Sequence, residues 1–367
     1  MNILADKHLF NLKPLLPEQC NLTLFDANAG LPKSTTDFDA LLIRTVTKIN
    51  PDSLPIAGNL KFIGSATAGH DHVDRGHLNR LNIRFTSAAG CNANAVAEYI
   101  ITTLFRWAAV KEIDIYSKKI GIVGCGHTGG SVIALLEKLG IDFVKYDPPK
   151  AEKEKTFKSA SLNKLLQCDI LTFHTPLTQS GKHATHHLCD SSWLNRGFDL
   201  VINAARGGVI KEVDLLSAKQ NGKPSDFILD VWENEPFFND QMASESFIAT
   251  PHIAGYSKEA KFRASKIVID DLTNFFGLES PSTELPGIST NEFFPSETTF
   301  SELLWKNHKI DFYDRELRKL IGQAERKKAI NFANLRSESP IRNEFGSYFR
   351  SIKDTSTLPN EFLIFKP

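Results

Sequence analysis

The stretch GIVGCGHTGGSVIALLEKLGIDFVKYD, residues 121 to 147, constrains this chain more than any other. Gly124, Gly126 and Gly129 stand in G-x-G-x-x-G spacing. An apolar strand-like run precedes them, and Val132, Ile133, Leu135, Leu136 and Leu139 follow at helical spacing. A second strand-like run then ends in Asp147, 18 residues after the last glycine. A glycine triplet alone is a weak signal, but the strand–turn–helix–strand–acid context is that of a dinucleotide site. Gly124 permits a tight turn, Gly126 lets backbone approach a pyrophosphate, and Gly129 lets helix and strand pack closely. The helix N-terminus presents amides and partial positive charge to phosphates, with His127 and Thr128 at the same turn. Asp147 is expected to bind the adenosine ribose and to repel a 2′-phosphate, which favours NAD, although Lys145 and Lys150 lie close by.

The remaining pattern fits an α/β protein built on two doubly wound, Rossmann-like parallel sheets. Short apolar runs at 2 to 5, 22 to 25, 39 to 44, 61 to 65 and 83 to 86 predict a first sheet. A second set starts at 118 to 126 and continues at 142 to 147, 169 to 175, 199 to 204, 226 to 232 and 247 to 250. Residues 92 to 110 are apolar at helical spacing, with Asn92 or Asn94 as N-cap, and connect the two sets. Residues 258 to 276 predict a return helix closed by Gly277. A turn-rich linker, 278 to 287, leads into an aromatic-rich tail with charged helical stretches.

In an open parallel sheet, ligands bind beyond the carboxyl ends of the strands. Residues suited to 2-hydroxy acid chemistry follow those ends: Thr175, Arg206, Asp230, Glu235 and His252. Arg206 offers a planar fork for a carboxylate. Glu235 is expected to hold the His252 imidazole in one tautomer while His252 exchanges the hydroxyl proton. Asp230 is assigned to the nicotinamide end. Each residue also has a plainer reading, as a surface charge, a helix cap or a solvated loop histidine; their joint placement behind a dinucleotide turn favours the catalytic one.

Composition narrows the alternatives. Lys plus Arg and Asp plus Glu each total 43, so no charge excess favours nucleic acid or an anionic membrane. Cys20, Cys91, Cys125, Cys168 and Cys189 are scattered without a CxxC pair, which argues for a reducing cytoplasm over a disulfide framework. No leader pattern opens the chain, and no apolar run approaches a membrane span. HDHVD (70 to 74) and HATHHLCD (183 to 190) tempt a metal assignment, but a helix start capped by Asp71 or Asp74, and a polar loop, are preferred; no metal is expected.

The segments SATAGHDHVD, GCNANAVAEY, the glycine turn, NAARGGVI, LDVWENEP and TPHIAGYS together resemble the D-isomer-specific 2-hydroxyacid dehydrogenases over about residues 1 to 280. RTVTKIN, YDPP, LTFHTPLT and HIAGYS are similar to a branch of that family acting on a phosphorylated 2-hydroxy acid. The resemblance implies a catalytic set of Arg206, Glu235 and His252, with His252 the proton donor in the reduction direction. It implies NAD contacts from Asp147, Thr175, Ala204, Ala205, Arg206, Asp230 and Gly255, and substrate contacts from Thr45, Thr67 and Tyr256. Arg44, beside Thr45 after a strand, suits a phosphate. The implied division is a substrate-binding lobe at 1–95 with 253–280, an NAD-binding domain at 96–252, and a small α+β dimerisation domain at 281–367, giving a homodimer. Asn343 stands where an arginine pair is common in the tail, leaving Arg342 alone. The rivals are a sister dehydrogenase for 3-phosphoglycerate, glycerate or lactate, and a non-catalytic NAD-sensing scaffold.

Overall fold

The computed structural model describes residues 1–285, 298–338, 341–351 and 358–366. Two parallel sheets form. The first contains β1 (Asn2–Asp6), β2 (Asn21–Phe25), β3 (Ala40–Ile43), β4 (Phe62–Ser65) and β5 (Arg84–Ser87), in the order β2-β1-β3-β4-β5. The second contains β6 (Ile120–Val123), β7 (Phe143–Tyr146), β8 (Ile170–Phe173), β9 (Leu200–Asn203), β10 (Asp226–Leu229) and β11 (Ile248–Ala249), in the order β11-β10-β9-β8-β6-β7. Each strand was legible as an apolar run because parallel strands are covered on both faces. In the second sheet Ile120, Ile122, Ile170, Leu200, Ile202 and Ile228 fill one core, while Val123, Leu171, Phe173, Val201, Phe227 and Leu229 fill the other. Each such buried side chain contributes about 1.5–3 kcal/mol of transfer free energy.

The chain divides into two compact units, Met1–Asn92 with Ser257–Gly287, and Ala93–Tyr256 with Ile288–Pro367. In the first, the helix Lys258–Phe276 begins at Ser257, whose hydroxyl accepts from the Ala260 amide at 2.9 Å, and stops at Gly277 with φ of 67°. It covers one sheet face through Phe262, Val268, Ile269 and Leu272. In the second, the helix Ala93–Lys111 starts and ends one residue later than the predicted 92–110 segment and buries Tyr99, Ile100, Leu104 and Trp107. No helix among the described residues is long and apolar enough to cross a membrane.

The tail departs from the α+β expectation. Its described residues form the helices Phe300–His308, Ile310–Arg318, Glu325–Glu338 and Phe345–Ser351 and a 3-10 turn, Asn360–Phe365, with no strand among them. The reason is spacing: Phe300, Leu303 and Leu304, then Ile310, Tyr313 and Leu317, recur at three and four residues and all are buried. Phe300 meets Phe105 edge-on at 4.8 Å, and Ser301 Oγ donates to the Phe105 carbonyl at 3.1 Å.

One buried ion pair anchors the tail. Arg342 pairs with Glu98 and donates to the Ala95 carbonyl at 3.0 Å, while the Phe345 amide donates to the other Glu98 oxygen at 2.8 Å. Burial pushes the Glu98 carboxyl above its usual range even with Arg342 alongside. Arg342, with a side chain only 4% exposed, is thus a structural cation. Replacing it with an apolar residue strands a buried carboxylate, so Arg342→Met is expected to cost about 3–5 kcal/mol in chemical denaturation, with Glu98→Gln in the same background recovering part of the loss.

Candidate active site

The order of the second sheet reverses between β6 and β8, and the groups that follow these two strands meet there. Gly124 has a φ of 87°, and a Cβ on it would lie 2.9 Å from the Thr175 amide and Cγ2. A Cβ on Gly129 would stand 1.9 Å from the Gly124 carbonyl oxygen, so helix and strand touch as the motif requires. Gly126, by contrast, faces open space. It caps the helix His127–Leu139 without a side-chain hydrogen bond, which leaves that end's first amides available. His127 is exposed and Thr128 half-buried on the first turn. Thr175 Oγ1 is buried with no hydrogen-bond partner among the described residues, as expected of a hydroxyl reserved for a ligand. An open glycine cradle, uncapped amides and an orphaned hydroxyl at the switch point fit a bound dinucleotide.

Asp147 ends β7 and has a local task that sequence did not disclose. Its two oxygens accept the Cys125 amide at 2.7 Å and the Lys150 amide at 3.0 Å, tying the glycine turn to the next helix. A carboxylate has about four acceptor positions, so two remain for a ribose.

Arg206, Glu235 and His252 follow β9, β10 and β11, three adjacent strands. His252 Nδ1 lies 2.9 Å from Glu235 Oε2, and Glu235 Oε1 accepts the Trp232 amide at 3.0 Å. Burial opposes ionisation of Glu235, but attraction to His252, its hydrogen bonds and the nearby Arg336 outweigh it, so its pKa lies below the ordinary 4.5. An ionised Glu235 accepts Nδ1–H and leaves Nε2 of the neutral imidazole as the acceptor. The Arg206 loop packs on the Glu235 loop, since a Cβ at Gly207 would lie 1.8 Å from the Trp232 carbonyl oxygen. Asn203 shapes that loop, donating to the Arg206 carbonyl at 3.0 Å and accepting the Ala205 amide at 3.1 Å. Arg206 and Ala204 are half-buried.

Asp230 organises the histidine loop. Wholly buried, its carboxylate accepts from the Thr250 hydroxyl at 2.6 Å, the Ile253 amide at 2.8 Å and the Ala254 amide at 2.9 Å, and its carbonyl accepts the His252 amide at 2.6 Å. These bonds hold His252 at a φ of 58°, a left-handed conformation that a non-glycine residue adopts at a cost of about 1–2 kcal/mol. Thr250 also bonds Tyr99 Oη at 2.8 Å and, through its carbonyl, Trp232 Nε1 at 2.9 Å. Gly255 and Tyr256 follow, both half-buried. Sequence reading missed Thr250, Tyr99 and Trp232; only the threonine's position two residues before His252 offered a signal.

In the first unit, Arg44 and Thr45 follow β3 and Thr67 follows its neighbour β4. Arg44 Nε donates to buried Asp6 at 2.7 Å, Thr45 is exposed, and Thr67 bonds Ser65 at 2.7 Å and the Gly69 carbonyl at 2.9 Å. Lys261, which sequence reading missed, is lowered to about 8 by burial and by Arg44, making a paired-cation environment. In the two histidine-rich stretches, Asp74 caps the helix Arg75–Arg80, and His187 pairs with Glu233 at 2.8 Å. Among the described residues no group of three or more His, Cys, Asp or Glu is placed to hold a metal ion.

The model of the D-isomer specific 2-hydroxyacid dehydrogenase NAD binding domain matches residues 96–254. An NAD-dependent formate dehydrogenase from Staphylococcus aureus, solved in complex with NAD, superposes with a TM-score of 0.58 at 25% identity, covering 75% of this chain and 96% of that one. The chain belongs to the D-isomer-specific 2-hydroxyacid dehydrogenases, and NAD is its cofactor. Its similarity extends well beyond the matched domain. Erythronate-4-phosphate dehydrogenase of Proteus mirabilis is 38% identical over 360 residues, 95% of this chain and 94% of that protein. The Escherichia coli enzyme of the same name is 35% identical over 367 residues, 97% and 95% of the two chains.

Because the Glu235 carboxyl is more acidic in the folded protein than in the unfolded chain, it stabilises the fold above its ordinary pKa of 4.5, and that contribution fades as pH falls through the lowered value. Thermal unfolding of wild type and Glu235→Gln across acid pH is expected to show a wild-type advantage at neutrality that shrinks toward the acid end; parallel curves would contradict the assignment.

Proposed function

We propose that the chain oxidises 4-phospho-D-erythronate at C2 to 3-hydroxy-2-oxo-4-phosphooxybutanoate, with NAD, in the biosynthesis of pyridoxine and pyridoxal 5′-phosphate. The observation that carries the reading is the 2.9 Å Glu235–His252 pair on the strand next to the Arg206 loop, within a chain similar to erythronate-4-phosphate dehydrogenases over nearly its whole length.

Bound NAD supplies the hydride acceptor. Arg206 binds the substrate carboxylate in a planar fork and draws charge from the oxygen at C2. His252 takes the C2 hydroxyl proton at Nε2, and Glu235 stabilises the imidazolium through Nδ1–H. In the reverse direction the same Nε2–H returns the proton. Gly124, Gly126, His127, Thr128, Gly129, Asp147, Thr175, Ala204, Ala205, Asp230 and Gly255 make up the NAD-binding set. Asp230 has most of its acceptor capacity committed to the histidine loop, so its assignment to the nicotinamide end is through the backbone it organises as much as through the carboxylate. Arg44, Thr45, Thr67 and Tyr256 form the substrate set, with the cationic surroundings of Arg44 and Lys261 suited to a phosphate.

The same reading makes 1–95 with 253–280 the substrate-binding lobe, 96–252 the NAD-binding domain and 281–367 the segment through which a homodimer forms. Exposed Ile330 and Leu363 support an interface there, and light scattering with a tail-deleted control tests it. Five free cysteines support a cytoplasmic site of action.

A panel of 4-phosphoerythronate, 3-phosphoglycerate, glycerate and lactate, followed by nicotinamide absorbance, tests the assignment: 4-phosphoerythronate is expected to give the highest kcat/KM, and a faster sister acid would move the chain to another branch. NADH formation with none of them would favour the sensing scaffold. His252→Ala is expected to lose at least about 10²–10⁴-fold in kcat while NAD affinity is kept, and Arg206→Lys to lose both substrate affinity and rate.

A further inference from the structure

The tail sends a second guanidinium to the catalytic groups. Arg336, on the helix Glu325–Glu338, lies with its Cζ 6.0 Å from the Tyr256 ring centroid. Burial disfavours its charge, yet the Tyr256 side chain, Glu235 and Asp230 together more than compensate, so the guanidinium stays firmly protonated. Its Nε–H is sealed from solvent and has no hydrogen-bond partner among the described residues. A buried donor on a charged group left unsatisfied is costly, and such donors are almost always met by a partner. None of the described residues supplies that partner, while a bound anionic substrate would.

We propose that Arg336 is a substrate-binding residue, its free Nε–H receiving an anionic oxygen of the bound acid beside Tyr256. The inference rests on the functional reading above. That acid carries two anionic groups, a carboxylate and a phosphate, and either presents the oxygen this donor needs. A guanidinium serves where an ammonium does not, because the Nε–H and terminal N–H groups form a planar fork while the remaining face packs on the tyrosine ring. Arg336 also accounts for part of the field that keeps Glu235 ionised, so one side chain of the tail acts on both the substrate and the proton relay.

The test uses the full-length enzyme with NAD, comparing wild type, Arg336→Lys and Arg336→Met on 4-phosphoerythronate and on unphosphorylated erythronate. Both variants are expected to raise KM for 4-phosphoerythronate roughly 10- to 100-fold, the range of a lost charge-assisted bond, with NADH affinity by fluorescence unchanged. A loss confined to the phosphorylated acid assigns the phosphate; an equal loss on both acids assigns the carboxylate end. Arg336→Lys keeps the charge and so serves if the methionine variant unfolds, and partial recovery of Arg336→Ala by guanidinium ion is a response that a purely structural arginine would not give. Unchanged KM values in Lys and Met variants alike overturn the proposal while leaving the functional reading intact. If wild type turns over neither acid, the functional reading fails, and calorimetry of 4-phosphoerythronate on the NADH-loaded enzyme decides: weaker binding to Arg336→Met than to wild type supports the contact, and equal or absent binding refutes it.

Discussion

The buried carboxylate of Asp230 is the interaction on which the catalytic geometry depends. Three donors from residues 250 to 254 converge on it, and its own carbonyl takes the His252 amide. A carboxylate in a low-dielectric interior is costly unless fully hydrogen-bonded, and burial does push Asp230 above its usual range. What offsets that cost is a loop that has no regular secondary structure of its own yet holds its histidine in a left-handed backbone conformation. The imidazole then reaches Glu235 without further adjustment, and the proton-accepting nitrogen is selected by the carboxylate it faces.

The same loop is tied to the tail through one turn of a helix. Glu98 and Tyr99 are consecutive on Ala93–Lys111. Glu98 holds Arg342 and the Phe345 amide, while Tyr99 reaches Thr250 and through it Asp230. His308, from the tail, stacks edge-on against the Tyr99 ring at 5.6 Å. The tail is therefore continuous with the core beneath the catalytic loop, and residues 342 and 252 are joined by a chain of packed, hydrogen-bonded neighbours. Networks of this kind are worth more than pairwise sums because each member fixes the orientation of the next.

What sequence discloses here follows from periodicity and from position relative to strand ends. All eleven strands were readable because buried parallel strands are short unbroken apolar runs, and the glycine turn because its spacing has one geometric use. Arg206, Glu235 and His252 were readable because catalytic groups follow strand carboxyl ends. Tyr99 and Arg336 were not, since a tyrosine inside an apolar helix and an arginine on a charged one look like core and solvent; only folding brings Tyr99 to Thr250, 151 residues further along the chain, and sets Arg336 beside Tyr256. The α+β character of the tail was implied by the resemblance alone; among its described residues the three- and four-residue spacing of buried aromatic and aliphatic side chains gives helices and no strand.

Cofactor choice rests on how the charges around Asp147 are already engaged. Lys145 and Lys150 lie near enough to invite a 2′-phosphate, but both are drawn elsewhere. Lys150 Nζ donates to the Cys125 carbonyl at 2.9 Å, sits 3.7 Å from Glu154 and lies 5.1 Å from the Phe157 ring centroid. Lys145 lies 5.9 Å from the same ring. Asp147, by contrast, keeps two acceptor positions after binding the two amides, and its negative charge stays at the end of β7, where a ribose is read. Lys150 braces the glycine turn through the Cys125 carbonyl while Asp147 holds the Cys125 and Lys150 amides, so the acid that reads the ribose and the contacts that hold the turn belong to one small set.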